Sequence, residues 1–197
     1  MNPTEILRAV TRTLVDHAEE LTTLDQAIGD GDHGLNMRRG ARAIEAKLAD
    51  LEGKTLAQAL KATGMACMAS IGGSAGPVFG TLLVTLARDL PPQPGADDLA
   101  RGLAAGIAAV TKLGKAQVGD KTLLDVLDPV QKTLAAGGVD MVARVRECAL
   151  QACAATADMQ AIRGRSSYLG ERALGHVDPG ARSSALIICA LCDTLRP

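Results

Sequence analysis

Apolar residues recur along this chain every three or four positions, and nowhere do they alternate over the length of a strand. That spacing predicts helices throughout. Pro3 and Thr4 open the first, with Ile6, Val10, Leu14, His17 and Leu21 along one face. His17 lies on that stripe, so it is expected to be a packed core residue. A second helix is expected from about Leu35 to Leu51. Thr55 has the character of a cap for a third, with Leu56, Leu60, Thr63 and Cys67 on one side. The glycine cluster Gly72–Gly76 ends it, and Pro77 falls in the first turn of a fourth that runs to about Leu90. Pro91-Pro92-Gln93-Pro94-Gly95 is a stiff connector, too short to divide domains. Asp97 or Asp98 caps a fifth helix bearing Leu99, Leu103, Ile107, Val110 and Leu113. The loop Gly114–Lys121 leads to a sixth from about Thr122 to Ala136, with Pro129 as a kink. Gly137-Gly138 breaks it, and a seventh runs from about Asp140 to Met159. Arg163–Val177 lacks periodicity. Asp178 as cap and Pro179 at the first helical position then start the eighth.

Eight helices and no strand block predict an all-α chain, read as a single domain over residues 1–197. Composition narrows the kind of core. Hydrophobic residues make up 47% of the chain but aromatics only 1%, with Phe79 and Tyr168 and no Trp. The core must therefore be built from Ala, Leu, Val, Ile and Met, which suits close-packed helices. The formal net charge of −1 offers nothing basic enough for nucleic acid. The longest strongly apolar run, Ala185–Cys192, is far short of the roughly 20 residues of a membrane helix. The start Met-Asn-Pro-Thr-Glu has no secretory pattern, so a cytoplasmic location is expected. The five cysteines, at 67, 148, 153, 189 and 192, lie in helical, apolar surroundings. Cys189 and Cys192 form a C-x-x-C without a second pair at zinc spacing, and the set reads as reduced core residues.

The chemistry concentrates in Asp25–Gly40. Asp25, Asp30 and Asp32 fall within eight positions, among glycines at 29, 31 and 34. Two unit charges ~4 Å apart at an effective dielectric of ~20 repel by about 4 kcal/mol. A chain that crowds carboxylates into a glycine turn commonly holds a cation there, although Asp and Gly are also ordinary turn residues. Oxygen-only ligands favour Mg²⁺ or Ca²⁺ over zinc. An EF-hand loop starting at Asp30 would need Glu at its twelfth position, which is Ala41. Three Asp with no further acidic ligand suit a Mg²⁺–phosphate site better.

Other loops share that character. Gly72–Gly76 opens a helix, so its free N–H groups could face phosphate oxygens, though a helix-breaking glycine cluster is the commoner case. Gly114-Lys115-Ala116 and Gly119-Asp120-Lys121-Thr122 form another loop. Gly164-Arg165-Ser166-Ser167-Tyr168-Leu169-Gly170 carries an arginine suited to phosphate. There is no Walker A loop. Gly53-Lys54-Thr55 has its ending, but position 48 is Leu where the earlier glycine would stand, so it reads as helix capping.

Leu24-Asp25-Gln26-Ala27-Ile28-Gly29-Asp30-Gly31-Asp32-His33-Gly34, then Gly72–Pro77, Gly119–Thr122, Gly164–Gly170 and Asp178-Pro179-Gly180, resemble the successive motifs of one family. It is the nucleotide-binding L subunit of dihydroxyacetone kinase, equivalent to the C-terminal domain of the single-chain kinases. The resemblance spans residues 24 to 180 in the family's order. It implies an antiparallel barrel of eight helices with the nucleotide site in the loops at one end. It implies ADP or ATP as cofactor with two Mg²⁺, and Asp25, Asp30 and Asp32 as metal ligands. His33, Gly34, Leu35 and Asn36 fall where the family contacts the nucleotide, as do Ser74, Ala75, Gly114, Leu123, Arg165, Asp178, Pro179 and Gly180. Ser74-Ala75 replaces a different small pair found in many relatives, and Leu123 replaces a frequent methionine. Both departures conserve size, so they bear on base packing. Charge counting agrees: ADP at about −3 and three Asp outweigh two Mg²⁺, and Arg165 is a natural cation for the deficit.

The resemblance also implies partners: a K subunit holding dihydroxyacetone, an M subunit of the phosphotransferase system that recharges ADP in place, and a transcription regulator in some systems. Three functions follow. The chain is an ADP–Mg²⁺-binding kinase subunit, whose variants use free ATP or another small ketose such as erythrulose. It is a non-catalytic nucleotide-sensing module that contacts a regulator. Or it is a lipid-carrying helical scaffold with a decayed site, against which the intact Asp25, Asp30 and Asp32 argue. No catalytic residue is assigned in this chain. Arg163–Val177 is expected to be a mobile cover over the nucleotide, the alternative being a rigid loop anchored by Tyr168 and Leu169.

Overall fold

The computed structural model describes residues 2–195. Its α-helices are α1 Pro3–Asp16, α2 Ala18–Ile28, α3 His33–Glu45, α4 Leu56–Ser70, α5 Ala75–Leu86, α6 Ala96–Gly114, α7 Leu124–Ala136, α8 Met141–Ala155 and α9 Pro179–Thr194. Short 3₁₀ turns occupy Ala49–Leu51, Thr156–Asp158 and Arg165–Ala173, and there is no strand among the described residues. The all-α expectation holds.

Among the described residues the expected eight helices become nine, because the first is broken at His17. That residue leaves helical geometry at φ −99° and ψ 11°. It is half exposed, not packed in the core as its place on the stripe implied. Its Nδ1 meets Glu20 Oε2 at 2.6 Å, and Arg182 Nε of α9 donates to Glu20 Oε1 at 2.5 Å. Burial raises the Glu20 pKa, but its hydrogen bonds to Arg182 and His17 outweigh that and hold it below the usual carboxylate range. A periodic pattern cannot register this break, since an ion-paired polar residue at a helix joint occupies the same register as a core one.

Local signals place most boundaries. Asn2 Oδ1 accepts from the Thr4 N–H at 3.1 Å to start α1. Thr55 and Gln58 form a reciprocal capping box at α4. Asp178 Oδ2 accepts from the Ala181 N–H at 2.7 Å, with Pro179 in the first turn of α9. At α6 the expected cap shifts by a turn: Gly95 is the capping position, and Asp98 reaches back to accept its N–H at 2.9 Å. α7 continues through Pro129.

Each helix packs on its neighbours in the chain, and α1 contacts both α3 and α9, so the neighbour relations close into a ring. The core inside it is almost wholly aliphatic, with Phe79 its one aromatic member among the described residues. Close approach of backbones compensates for small side chains. A Cβ on Gly64 of α4 would lie 2.9 Å from the Gly80 carbonyl oxygen of α5, and one on Gly80 would lie 2.8 Å from the Gly64 oxygen. Cys67 and Cys153 are buried, and burial pushes their thiols up to about 12 and about 11. They are unreactive core groups, in keeping with the reduced reading.

Arg163–Val177 is not structureless. Ala161 and Ala173 pack on Ile28 as a small satellite core, with Leu169 against it, while Tyr168 is 90% exposed. Leu169 thus anchors the segment and Tyr168 does not.

Gly34, in the first turn of α3, sets the approach of α3 to α2. A Cβ there would collide with the Ala18 carbonyl oxygen and the Thr22 side chain. Gly34→Ala is expected to destabilise the fold by about 2–3 kcal/mol and lower the thermal midpoint by roughly 5–10 °C. Thermal unfolding followed by circular dichroism checks this, and an unchanged midpoint would contradict the close approach.

Candidate functional site

One end of the ring carries a cavity of about 300 Å³, within the range of small-molecule sites. The elements that reach it explain its character. α3, α5, α7 and α9 all begin there, at Asp32-His33, Ser74-Ala75, Leu123-Leu124 and Asp178-Pro179. α2 and α6 end there, at Ile28 and Gly114. Successive strokes of the chain therefore run in opposite directions, and four helix N-termini converge on one space. The first N–H groups of a helix have no intrahelical partner and carry a partial positive charge. Such ends bind anions, and here four meet.

Against them stand three carboxylates. One oxygen from each of Asp25, Asp30 and Asp32 lies within 4.8 Å of the others. Asp25 is held from below, its Oδ2 accepting the His33 N–H at 3.0 Å. Asp30 Oδ2 receives Arg165 Nη1 at 2.7 Å across the cavity mouth. An all-oxygen, all-carboxylate set of this spacing fits Mg²⁺. The residues present therefore suit the metal that the sequence pointed to.

Of the residues expected to meet nucleotide, His33, Asn36, Ser74, Ala75, Gly114, Leu123, Arg165, Asp178, Pro179 and Gly180 line the cavity. Two do not. Gly34 is buried against α2, where it serves packing. Leu35 is 45% exposed on the outer side of the same turn. Helical geometry separates them, because consecutive residues point about 100° apart and only His33 and Asn36, three positions apart, share the inward face.

Asn36 is only 5% exposed. A Cβ on Gly72 would stand 2.5 Å from its Oδ1, so that glycine makes room for the amide. His33 Nε2 lies 3.1 Å from Ser183 Oγ of α9, and burial lowers the ring's pKa against the opposing pull of Asp25 and Asp32. The ring is thus a strut between two helix N-termini. Burial also pushes the Asp178 carboxyl up to about 7, with Asp125 adding to the rise and the Ala181 N–H and Lys121 opposing it.

The structure adds residues that the motifs alone did not nominate. Val78, Phe79, Val110 and Leu124 supply an apolar wall. Their signal was present only as core periodicity. The loop before α7 is shaped by two buried carboxylates. Asp120 Oδ2 accepts from Gln117 N–H at 2.9 Å, and Asp125 accepts from Gly119 and Thr122 N–H at 2.5 and 2.6 Å. Lys121 in that loop adopts φ 62°, a left-handed conformation that costs a non-glycine residue about 1–2 kcal/mol. Arg163 and Gly164 line the main cavity beside Arg165, and a shallower hollow of about 430 Å³ opens outside it against Tyr168. Among the described residues no helix is long and apolar enough to cross a membrane.

Comparison with known proteins identifies the family. The profile of the DAK2 domain matches residues 27–193. The chain is similar to the ADP-binding subunit DhaL of a PEP-dependent dihydroxyacetone kinase of Listeria innocua, 39% identical over 91% of this chain and 88% of the relative. It is likewise similar to the ADP-binding subunit DhaL of a PEP-dependent dihydroxyacetone kinase of Escherichia coli, 38% identical over 93% of this chain and 92% of the relative. Among solved structures, the dihydroxyacetone kinase of C. freundii in its native form superposes with a TM-score of 0.81 at 26% identity. That match covers 98% of this chain and 34% of the longer kinase, so this chain spans about a third of it. The same kinase is also solved in complex with AMP-PNP and Mg²⁺, where the TM-score is 0.78. The chain belongs to the DAK2 domain family, which takes in the ADP-binding subunits of dihydroxyacetone kinases.

Proposed function

We propose that this chain is the nucleotide-binding subunit of a dihydroxyacetone kinase. It holds ADP or ATP with two Mg²⁺ at the loop end of the helical ring and passes a phosphoryl group to dihydroxyacetone held on a separate K subunit. The observation that carries this reading is the meeting of Asp25, Asp30 and Asp32 with four helix N-termini on one cavity. Carboxylates alone would repel a phosphate, and helix N-termini alone would repel a metal. Together they suit a metal–phosphate pair and little else.

Asp25, Asp30 and Asp32 would hold the metal, which when bound neutralises charge on the phosphate oxygens. The chain's own groups account for the remainder. The N–H groups opening α5 at Ser74 and Ala75 have no side-chain cap and would face the phosphates. Arg165, exposed on its loop, can exchange Asp30 for a phosphate oxygen, which its planar fork suits. The apolar wall of Val78, Val110 and Leu123 suits the base. Among the described residues no histidine stands free in the cavity to grip a ketone. His33 is engaged with Ser183, His17 is paired with Glu20 at the α1–α2 joint, and His176 is exposed outside the cavity lining. The acceptor half of the site is therefore assigned to the partner. Recharging of ADP by an M subunit of the phosphotransferase system is in keeping with relatives named as PEP-dependent.

Asp30→Asn is expected to weaken ADP–Mg²⁺ binding by roughly a hundredfold or more, since even outer-shell changes at metal sites cost 10–100-fold. The metal-free fold should keep its thermal midpoint. Relief of carboxylate repulsion is offset by loss of the Arg165 pair, a largely exposed contact worth about 0–1 kcal/mol. Calorimetric titration with ADP and Mg²⁺ checks this, and unchanged affinity would remove the metal assignment.

Residues 163–168 are expected to close over the nucleotide, while the base of that segment stays packed through Leu169. Hydrogen exchange with and without ADP–Mg²⁺ should show added protection at 163–168. Equal protection in both states would leave Arg165 a static ligand and no cover.

The purified chain should bind ADP–Mg²⁺ yet phosphorylate nothing by itself. A coupled assay with ATP, Mg²⁺ and dihydroxyacetone should give turnover only after a K subunit is added. Robust turnover without a partner would overturn the subunit reading.

A further inference from the structure

Lys121 is the largest of the fully buried side chains, at 0% exposure. It lines the cavity, yet its ammonium group is engaged by backbone carbonyls. Nζ donates to the carbonyl oxygens of Ala173 at 2.7 Å, Met159 at 3.2 Å and Ala157 at 3.5 Å. An ammonium has three N–H groups and no acceptor. Three carbonyls occupy all three directions, so none remains for a phosphate oxygen.

Those carbonyls are not scattered. Ala157 and Met159 lie where the chain leaves α8, and Ala173 ends the 3₁₀ stretch Arg165–Ala173. They are the two feet of the loop that brings Arg163, Gly164, Arg165 and Ser166 to the cavity. The feet are also tied to each other, Gly175 N–H donating to the Ala157 oxygen at 2.9 Å. Beside Lys121, the Ile162 N–H donates to the Asp120 oxygen at 3.1 Å. The backbone at Lys121 is left-handed, at φ 62°. A buried cation with a strained backbone is costly to maintain unless its position is used.

We propose that Lys121 is a positioning residue that staples both feet of the 157–173 loop and thereby sets where Arg165 stands against the nucleotide phosphates. The second half of this statement rests on the metal–nucleotide reading of the cavity; the staple itself does not. Lys121 acts through Arg165 and not on the ligand. The apolar replacement Lys121→Met shortens the side chain by one atom and removes all three donors.

Three variants test this: Lys121→Met, Arg165→Ala and the double substitution. Lys121→Met should lower ADP affinity in Mg²⁺ at least tenfold, and should lose hydrogen-exchange protection at 157–173 without nucleotide present. Added to Arg165→Ala, it should cost less than a further threefold, because the group it positions is already gone. Losses that multiply in the double variant would overturn the proposal, as would wild-type affinity in Lys121→Met. If the unaltered chain fails to bind ADP–Mg²⁺, it is the nucleotide reading that fails. The exchange measurement then still decides the staple, and unchanged protection at 157–173 rejects it. Should the variants not fold, acetylation of the native chain followed by mass spectrometry decides. Lys121 should stay unmodified with or without ADP, whereas ready acetylation suppressed by ADP would put its amine on the ligand and overturn the proposal.

Discussion

The site depends on two opposed electrostatic fields that one topology forces together. An up-and-down ring sends every second helix N-terminus to the same end, so partial positive charge collects at α3, α5, α7 and α9 whatever their side chains. Asp25, Asp30 and Asp32 bring negative charge to the same space. The two fields satisfy each other only in part, the His33 N–H donating to Asp25 and the Ala181 N–H to Asp178, while the other N–H groups and carboxylates on the wall leave the centre to a ligand. A divalent cation bound to a phosphate answers both at once.

That arrangement requires the helices to sit close, and the chain achieves it without aromatic bulk. Mutual approach at Gly64 and Gly80 brings α4 against α5, and Gly34 brings α3 against α2. Small residues at the contacts let backbones meet where larger ones would hold them apart. Tight packing then has a consequence at the mouth. The start of α3 has one inward face, occupied by His33 and Asn36, while Gly34 and Leu35 serve packing and the outer surface. Of these four contiguous residues, His33 and Asn36 face the cavity, Gly34 packs against α2 and Leu35 stands exposed outside it.

The loops over the cavity are held by buried polar groups and not by regular structure. Asp120 and Asp125 cap the turn before α7, and Lys121 ties that turn to the segment after α8. Each group satisfies backbone that no helix or strand could satisfy. The segment 163–177 needs such ties because its apolar contacts are few: Leu169 and Ala173 pack with Ala161 on Ile28, and Val177 packs on the main core.

Much of this was legible in the sequence. Helix periodicity, the Thr55 and Asp178 caps, the Pro179 start and the glycine breaks are local features, written within one turn of the residues they govern. The carboxylate cluster was legible for the same reason, since Asp25, Asp30 and Asp32 are neighbours in the chain and a glycine turn suffices to bring them together. What the sequence could not decide was everything settled by partners distant in the chain. His17 looks like a core residue until Arg182 appears beside Glu20, 162 positions away from it. Lys121 reads as one more loop cation until carbonyls 36 to 52 positions on close around it. The convergence of four helix N-termini is invisible in any one of them. Periodicity reports which face of a helix is buried but not against what, and only the closed ring determines which ends, charges and backbone groups share a space.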